Sequence, residues 1–533
     1  MPPDAILSVF ALARPLRGDL TLMKKPLFRT SKKAGARVAV PTRRFWAILA
    51  LVVFGIAAAS CLAVHAIVST HLLRGWVNGK PEELLLAYDG ASSWVPGVIR
   101  IRGLTMRGSD PNVQWFFRME KATISISLID LLRKHFHATR VRAEGLVFRL
   151  REKEKKSETS AAHVALLPPI TGFSDPPLAT AEAEPPPVTR MEVRKKYWTV
   201  QVEDLVADPA PDIWVEIYRF RGRARVSGGF TLHPHDRARI GPAAVEFLSG
   251  NFLLGPERAM LSSASGRGDC DIDAFDPEAV KGKEVWRKIS GNIRVEGRLE
   301  DIGFLNHYLR HAPEPRLAGG GGKAHGEIRF NHGIASGGAD FELARADFRY
   351  ANRTVRGRAS GRLGVPRWDV EHDDMEISGS QVALSNVVTT GSAHDERDWW
   401  GRFDITSGRV HDGFSAQTVV SCRDARPLYT LFGAKLPGWA EGILKLEGLK
   451  ATARIRLAGK VIDLEDLEAS GRKFHIAGLY HAKGEDRHGA FLVETGPLAV
   501  GIAINGPSSS VKIFGAKKWF GDEARNTKSA AAR

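Results

Sequence analysis

Hydrophobic positions along the chain fall into two regimes. Phe45 to Val64 reads FWAILALVVFGIAAASCLAV, twenty residues without a charge, and the apolar character runs on past His65 to Val68. At ~1.5 Å per helical residue, about twenty residues cross a ~30 Å hydrocarbon layer. The stretch predicts a single transmembrane helix over 45–68, anchored by Phe45, Trp46, Leu49, Leu51, Val52, Val53, Phe54, Ile56, Leu62 and Val64. Trp46 sits where an aromatic ring suits the interface, and Arg43 and Arg44 stand just before it. The positive-inside rule then puts 1–44 in the cytoplasm and 69–533 across the membrane.

Three rival readings fit this segment less well. A cleaved signal peptide has a shorter n-region than the 44 residues found here. Ala58-Ala59-Ser60-Cys61 resembles a lipoprotein processing site but lacks leucine three residues before the cysteine. The length of the stretch and its flanking charge asymmetry weigh against a buried helix of a soluble domain.

From Pro96 onward the period is two. Ile99 and Ile101 alternate with arginines; Ala122, Ile124, Ile126 and Leu128 alternate with hydroxyl residues; Ile455 and Leu457 alternate with Arg454 and Arg456. Such alternation puts one face on apolar material and the other in water, as in an antiparallel sheet covered on one side. Ile99, Ile101, Ile124, Ile126, Leu128, Ile455 and Leu457 are therefore the candidate lining of an apolar groove. Apolar parity flips at Gly103 and at Gly145, which predicts β-bulges there. Related strand patterns recur at 293–297 and 444–449 with irregular spacing, so no fixed-period solenoid is expected.

Helical insertions are expected at Ser127–Leu132, Asp301–Leu309 and Asp424–Phe432, each opening on a Ser or Asp that suits an N-terminus. A further helix is expected within 71–90, started by Pro81 with Glu82 and Glu83 in its first turn and Leu84–Leu86 on its apolar stripe. Residues 151–190, charged and then rich in proline, predict a disordered linker. Residues 312–326, with Gly319–Gly322, predict a second break, and 526–533 a frayed tail. The expected fold is mainly β: a membrane helix, then an elongated, curved antiparallel sheet with short helical insertions. Its parts are a basic segment (1–44), the helix (45–68), a first β-module (69–150), the linker (151–190), a long β-rich body (191–525) and the tail (526–533).

Composition narrows the functional classes. The chain has 533 residues, with 53 glycines and 28 prolines, punctuation that suits many short strands. Residues 1–44 hold ten basic against two acidic side chains, so half of the net charge of +16 lies there. The rest is only mildly basic, which argues against nucleic acid as a partner.

Catalytic motifs are missing: no HExxH, no GxSxG and no P-loop. His233, His235 and Asp236, and the acids Glu371, Asp373, Asp374 and Glu376, lack metal-site spacing and read as solvated loops. His135 and His137 flank Phe136 at strand spacing and read as a solvated strand end. Trp399-Trp400 reads as ordinary packing. Cys270 and Cys422 read as isolated thiols, although an oxidising compartment would allow them to pair. No cofactor, no metal and no catalytic residue are expected.

The run VIRIRGLTMRG from Val98, then WFFRMEKATISISLIDLLRKHFHATRVRAEGLVFRLRE from Trp115, ends in the charged and proline-rich stretch. This resembles the N-terminal module of AsmA-like proteins, where "I-x-V-x-G-L" and "V-x-x-S-L-x-D-L-L" motifs follow one transmembrane helix. Ser127-Leu128-Ile129-Asp130-Leu131-Leu132 matches the second motif, with weaker echoes at 291–309 and 444–449. The resemblance covers the anchor and roughly 55 residues strongly, the rest only in texture. It implies a bridge-like envelope protein of the AsmA and TamB kind, held in the bacterial inner membrane with its body in the periplasm. Its implied partners are phospholipid or another acyl-chain lipid, the inner membrane, and outer-membrane assembly proteins. If twenty to twenty-five strands stack at ~4.8 Å, the body extends on the order of 100 Å, short for a bridge. A periplasmic assembly scaffold that binds envelope proteins through sheet edges is the alternative.

Overall fold

The computed structural model describes Gly55, Leu62, 64–67, 69–70, 72–81 and then 84–531, apart from 110–112, 154–159, 177–197, 234–236, 277–278, 281, 308–315, 351–352, 391–398, 425–447, 460, 485 and 507. The described strands, twenty-four in number, join one long curved sheet, and the protein is mainly β. Arg43, Arg44, Phe45, Trp46, Leu49, Leu51, Val52, Val53, Phe54 and Ile56 lie outside the described residues. Leu62 and Val64 are helical, and among the described residues no helix is long and apolar enough to cross a membrane.

Helix α1 (Leu72–Val77) leads into β1 (Leu84–Ala87) and β2 (Gly90–Val95), which both pair with β3 (Val98–Ser109). The helix expected from Pro81 is therefore a strand: Leu84 to Ala87 ladder against Gly108 to Thr105, and that pairing overrides the helix propensity of three leucines. Next come β4 (Val113–Ile126), α2 (Leu128–Leu132), β5 (His135–Glu144) and β6 (Val147–Glu152). Ser127 caps α2, its hydroxyl accepting from the Asp130 N–H, as expected of that insertion.

β7 (Thr199–Val215) runs parallel to both β5 and β6, so the first module and the long body share one sheet. A parallel pairing needs a crossover. Part of it is described and is not disordered: residues 160–176 form a strap with a short helix, α3 (Ala161–Val164), and bury Leu167 and Ile170. Three arginines hold the strap. Arg107 and Arg149 donate to the carbonyls of Thr171 and Pro169, both at 2.6 Å. Arg151, fully buried, donates to the Pro168 and Ser174 carbonyls and to Asp175 at 2.9 Å.

The sheet then proceeds as neighbouring antiparallel strands. β8 (Tyr218–His233), β9 (Arg237–Leu254), β10 (Arg258–Phe275) and β11 (Ile289–Leu299) are followed by β12 (Arg316–Asn331), β13 (Ile334–Tyr350) and β14 (Arg353–Asp369). β15 (Asp374–Glu376) and β16 (Gln381–Thr389) share the far side of β14, and both pair with β17 (Trp400–Val410). β18 (Phe414–Cys422), β19 (Leu449–Ala458), β20 (Val461–Gly471), β21 (Phe474–Lys483), β22 (Asp486–Thr495), β23 (Leu498–Asn505) and β24 (Ser508–Lys512) complete it. The expected break at 312–326 is overturned over 316–326. β12 runs straight through Gly319–Gly322, because backbone pairing with β11 and β13 supplies what the absent side chains do not. The insertion at Asp301–Leu309 is a 3-10 turn over Ile302–His307; Asp424 aside, the one expected at 424–432 lies outside the described residues.

Helix α4 (Ala516–Ala531) replaces the frayed tail up to 531. It packs on β21, β22 and β23, covering buried Leu479, Ala490, Leu492 and Ala503. The helix closes one side of these strands, and their other side carries Ile476, Val493 and Val500.

The parity flip at Gly103 is real, but no residue is added to the β3–β4 ladder. Arg102 pairs with Lys121 and Leu104 with Met119 in unbroken register, while Gly103 takes a left-handed φ of 62°. Ile99, Ile101 and Leu104 enter one core together with Ala122 and Met119, so both strands change parity at the same line. Gly145 repeats the device between β5 and β6 at φ 68°, its N–H donating to the Pro209 carbonyl at 3.0 Å.

Candidate functional site

Strand alternation and register together sort side chains into rows, and the rows define two unlike faces. One row starts in the core under β1–β9: Val226 on β8 faces Val245 on β9, which faces Gly268 on β10. It continues through Ile293, Ile328, Gly337 and Val365. A parallel row runs Phe247, Gly266, Val295, Gly326, Ala339, Leu363. A third crosses the whole second half. Gly297, Ala324, Phe341, Gly361, Val382 and Phe403 are followed by Val420, Ala451, Ala469, Ile476, Val493 and Val500. None of these three rows holds a charged residue.

Coverage of this face falls along the sheet. Near β8 the rows are packed: Phe220 is buried against the rings of Phe247 and Phe252 at 4.7 and 5.1 Å. By β11–β14 they are open, with Ile293 43%, Ile328 39% and Leu363 48% exposed. Glycines interleave here, and a Cβ added at Gly326 would find nothing closer than 3.8 Å. Farther on, Trp399, Cys422, Leu449 and Phe474 form a second buried patch, while Leu457 and Ile462, paired on β19 and β20, stay exposed. Large apolar patches left in the open mark places that take a ligand or partner.

The opposite face carries the charge and satisfies it locally. Glu327 accepts from Arg294 at 2.7 Å and Arg329 at 2.9 Å, and those hydrogen bonds hold its carboxyl below the usual range. Asp347 is gripped by Arg345 and Arg356 and is likewise held low. A notch of about 540 Å³ opens on this face beside Arg367, Arg409 and Arg454, but Asp374 pairs with Arg409 and Glu465 with Arg454.

Of the candidate lining residues, Ile99, Ile101 and Ile126 are buried in the first core, with Ile124 and Leu128 packed against it. These five are packing residues of a closed end rather than an open lining. Ile455 and Leu457 lie on the open face. The strand pattern at 293–297 is legible in the sequence, but Ile293, Ile328 and Leu363 are not among the candidate lining; around Ile328 and Leu363, glycines dilute the alternation.

Other candidates resolve into structure. His233 contacts the Thr199 hydroxyl at 3.0 Å, whereas His235 and Asp236 lie outside the described residues. Glu371 and Asp373 pair with Arg287 and Lys283. Trp399 is buried and donates to the Asp424 carbonyl at 2.8 Å, while Trp400 is exposed. Cys270 and Cys422 are free thiols, which burial pushes up to about 11 and about 12.

His137 sits between two carboxylates, Asp130 at 2.8 Å and Glu203 at 2.9 Å, tying α2 and β5 to β7. Burial disfavours its charge, but the hydrogen bond to Asp130 and the adjacent Glu203 carboxylate outweigh that and raise its pKa above the usual 6.5. His65 joins the end of the apolar segment to the sheet, its ring 4.4 Å from that of Trp94 and its Nδ1 accepting from the Ser93 N–H. No family model, curated protein or solved structure matches this chain.

Proposed function

We propose that this protein is anchored in the bacterial inner membrane by one helix over 45–68, and that its periplasmic sheet holds phospholipid acyl chains on the open apolar face. The observation that carries the reading is the continuity of that face: uncharged rows leave a packed core at β8 and emerge exposed at Ile293, Ile328 and Leu363. Covering the exposed two-fifths of each such side chain would contribute roughly 1 kcal/mol, and each buried CH₂ of a lipid about 0.8 kcal/mol. Binding of this kind needs no catalytic group. A carrier role toward the outer membrane follows if lipid moves from row to row, in keeping with the resemblance to AsmA-like proteins. The apolar segment supplies the tether, and Val64 and His65 couple it to the first core.

The test is native mass spectrometry of the full chain in detergent, counting bound phospholipid after surface lipid is stripped. Gly326→Phe fills open space on the face and Leu363→Asp charges it; each is expected to lower retained lipid several-fold. Equal retention by wild type and both variants overturns the reading. The free edge of β24, exposed at all five residues, favours the scaffold alternative. That alternative expects envelope-protein crosslinks at Ser508–Lys512 with no lipid retained.

A further inference from the structure

The sheet ends in an apolar corner. β21 starts at Phe474, β22 ends at Thr495, β23 starts at Leu498 and β24 ends at Lys512, so these termini lie at the same end of their ladders. Projecting there are Leu498, 61% exposed, Ile513, 60%, and Phe514, 88%. Among the described residues Phe514 is the most exposed large apolar side chain. Exposed lysines stand at the same end of the sheet: Lys473 in the β20–β21 turn, Lys512 at the end of β24, and Lys517 and Lys518 in the first turn of α4. Lys517 pairs with Glu494, itself also beside His475.

We propose that this corner seats on an anionic lipid bilayer, with Leu498, Ile513 and Phe514 entering the interface and Lys473, Lys512 and Lys518 meeting lipid phosphates. Charge chooses the occupant. Apolar side chains rimmed by cations match a surface that is apolar within and negatively charged at its border. Helix α4 braces the corner from behind: Ala516 and Thr527 are buried, and the indole of Trp519 fills the space that a Cβ on Gly501 would need. The projecting residues are thus presented on a fixed support. The inference stands apart from acyl-chain binding, since the corner seats whether or not the open face holds lipid.

The experiment uses the full chain in nanodiscs of phosphatidylcholine, mixed with sedimenting vesicles of phosphatidylcholine with or without phosphatidylglycerol. Wild type is expected to sediment with the phosphatidylglycerol vesicles, and less so as salt rises. Phe514→Glu with Leu498→Glu, and separately Lys512→Glu with Lys518→Glu, are each expected to weaken sedimentation at least about tenfold. Both sites are exposed, and an unchanged thermal unfolding midpoint confirms the fold of each variant. Sedimentation unchanged in both variants, or equal on vesicles without phosphatidylglycerol, overturns the proposal. Retained phospholipid, counted on the same samples, stays at the wild-type level, which separates failure here from failure of the acyl-chain reading.

Discussion

Ile293 on β11 and Ile328 on β12 stand directly opposite each other on the uncharged face, and both keep about two-fifths of their surface in solvent. Cross-strand aliphatic pairs ordinarily help to close a core. Here the same rows are closed at β8 and open at β11, which makes exposure a property of position along the sheet.

Stability should follow that gradient. Phe220→Ala removes a buried ring packed against two others and is expected to cost about 3–5 kcal/mol. Leu363→Ser, on the open stretch, is expected to cost under about 1 kcal/mol. Urea unfolding of both variants checks the contrast; a Leu363→Ser loss as large as that of Phe220→Ala would mean that the face is closed in solution.

Of the three arginines that hold the strap over 160–176, Arg151 is the fully buried one. Arg151→Met keeps much of the volume but leaves the Pro168 and Ser174 carbonyls and the Asp175 carboxylate without this donor, at a cost of about 1–3 kcal/mol. Limited proteolysis should then cut within 160–176 in the variant and spare it in wild type. Equal protection would place the strap's hold in Arg107, Arg149 and the buried Leu167 and Ile170.

His137 gives the first module a pH dependence with a definite sign. Its folded pKa is raised, so protonation favours the folded state. The contribution is fully present below about 6.5, the ordinary histidine value, and is lost as pH rises through the folded pKa. Histidine NMR titration should place the His137 midpoint above 6.5, and Glu203→Gln should lower it. A midpoint below 6.5 in wild type would show that burial outweighs the two carboxylates.

Much of this fold was legible wherever alternation is dense. Ile99 with Ile101 and Ile455 with Leu457 announce strands, and Ser127 announces the cap of α2. What stayed hidden depends on partners far away in sequence. Leu84–Ala87 looks helical until β3 pairs with it. Gly319–Gly322 looks like a break until β11 and β13 enclose it. The strap looks disordered because its anchors, Arg107, Arg149 and Arg151, belong to other strands. Of the candidate lining, Ile455 and Leu457 fall on the open face and the other five at the closed end: Ile124 and Ile126 alternate as cleanly as any exposed row, and only the tertiary fold tells which rows are covered.

Site-specific photo-crosslinking in living cells tests the acyl-chain reading most directly. A benzophenone side chain placed at Ile293, Ile328 or Leu363 should yield phospholipid adducts on the full chain, while the same group at the neighbouring outward positions Arg294 and Arg329 should yield none. Adducts equally frequent at both sets of positions, or lacking at all three apolar ones, would contradict it.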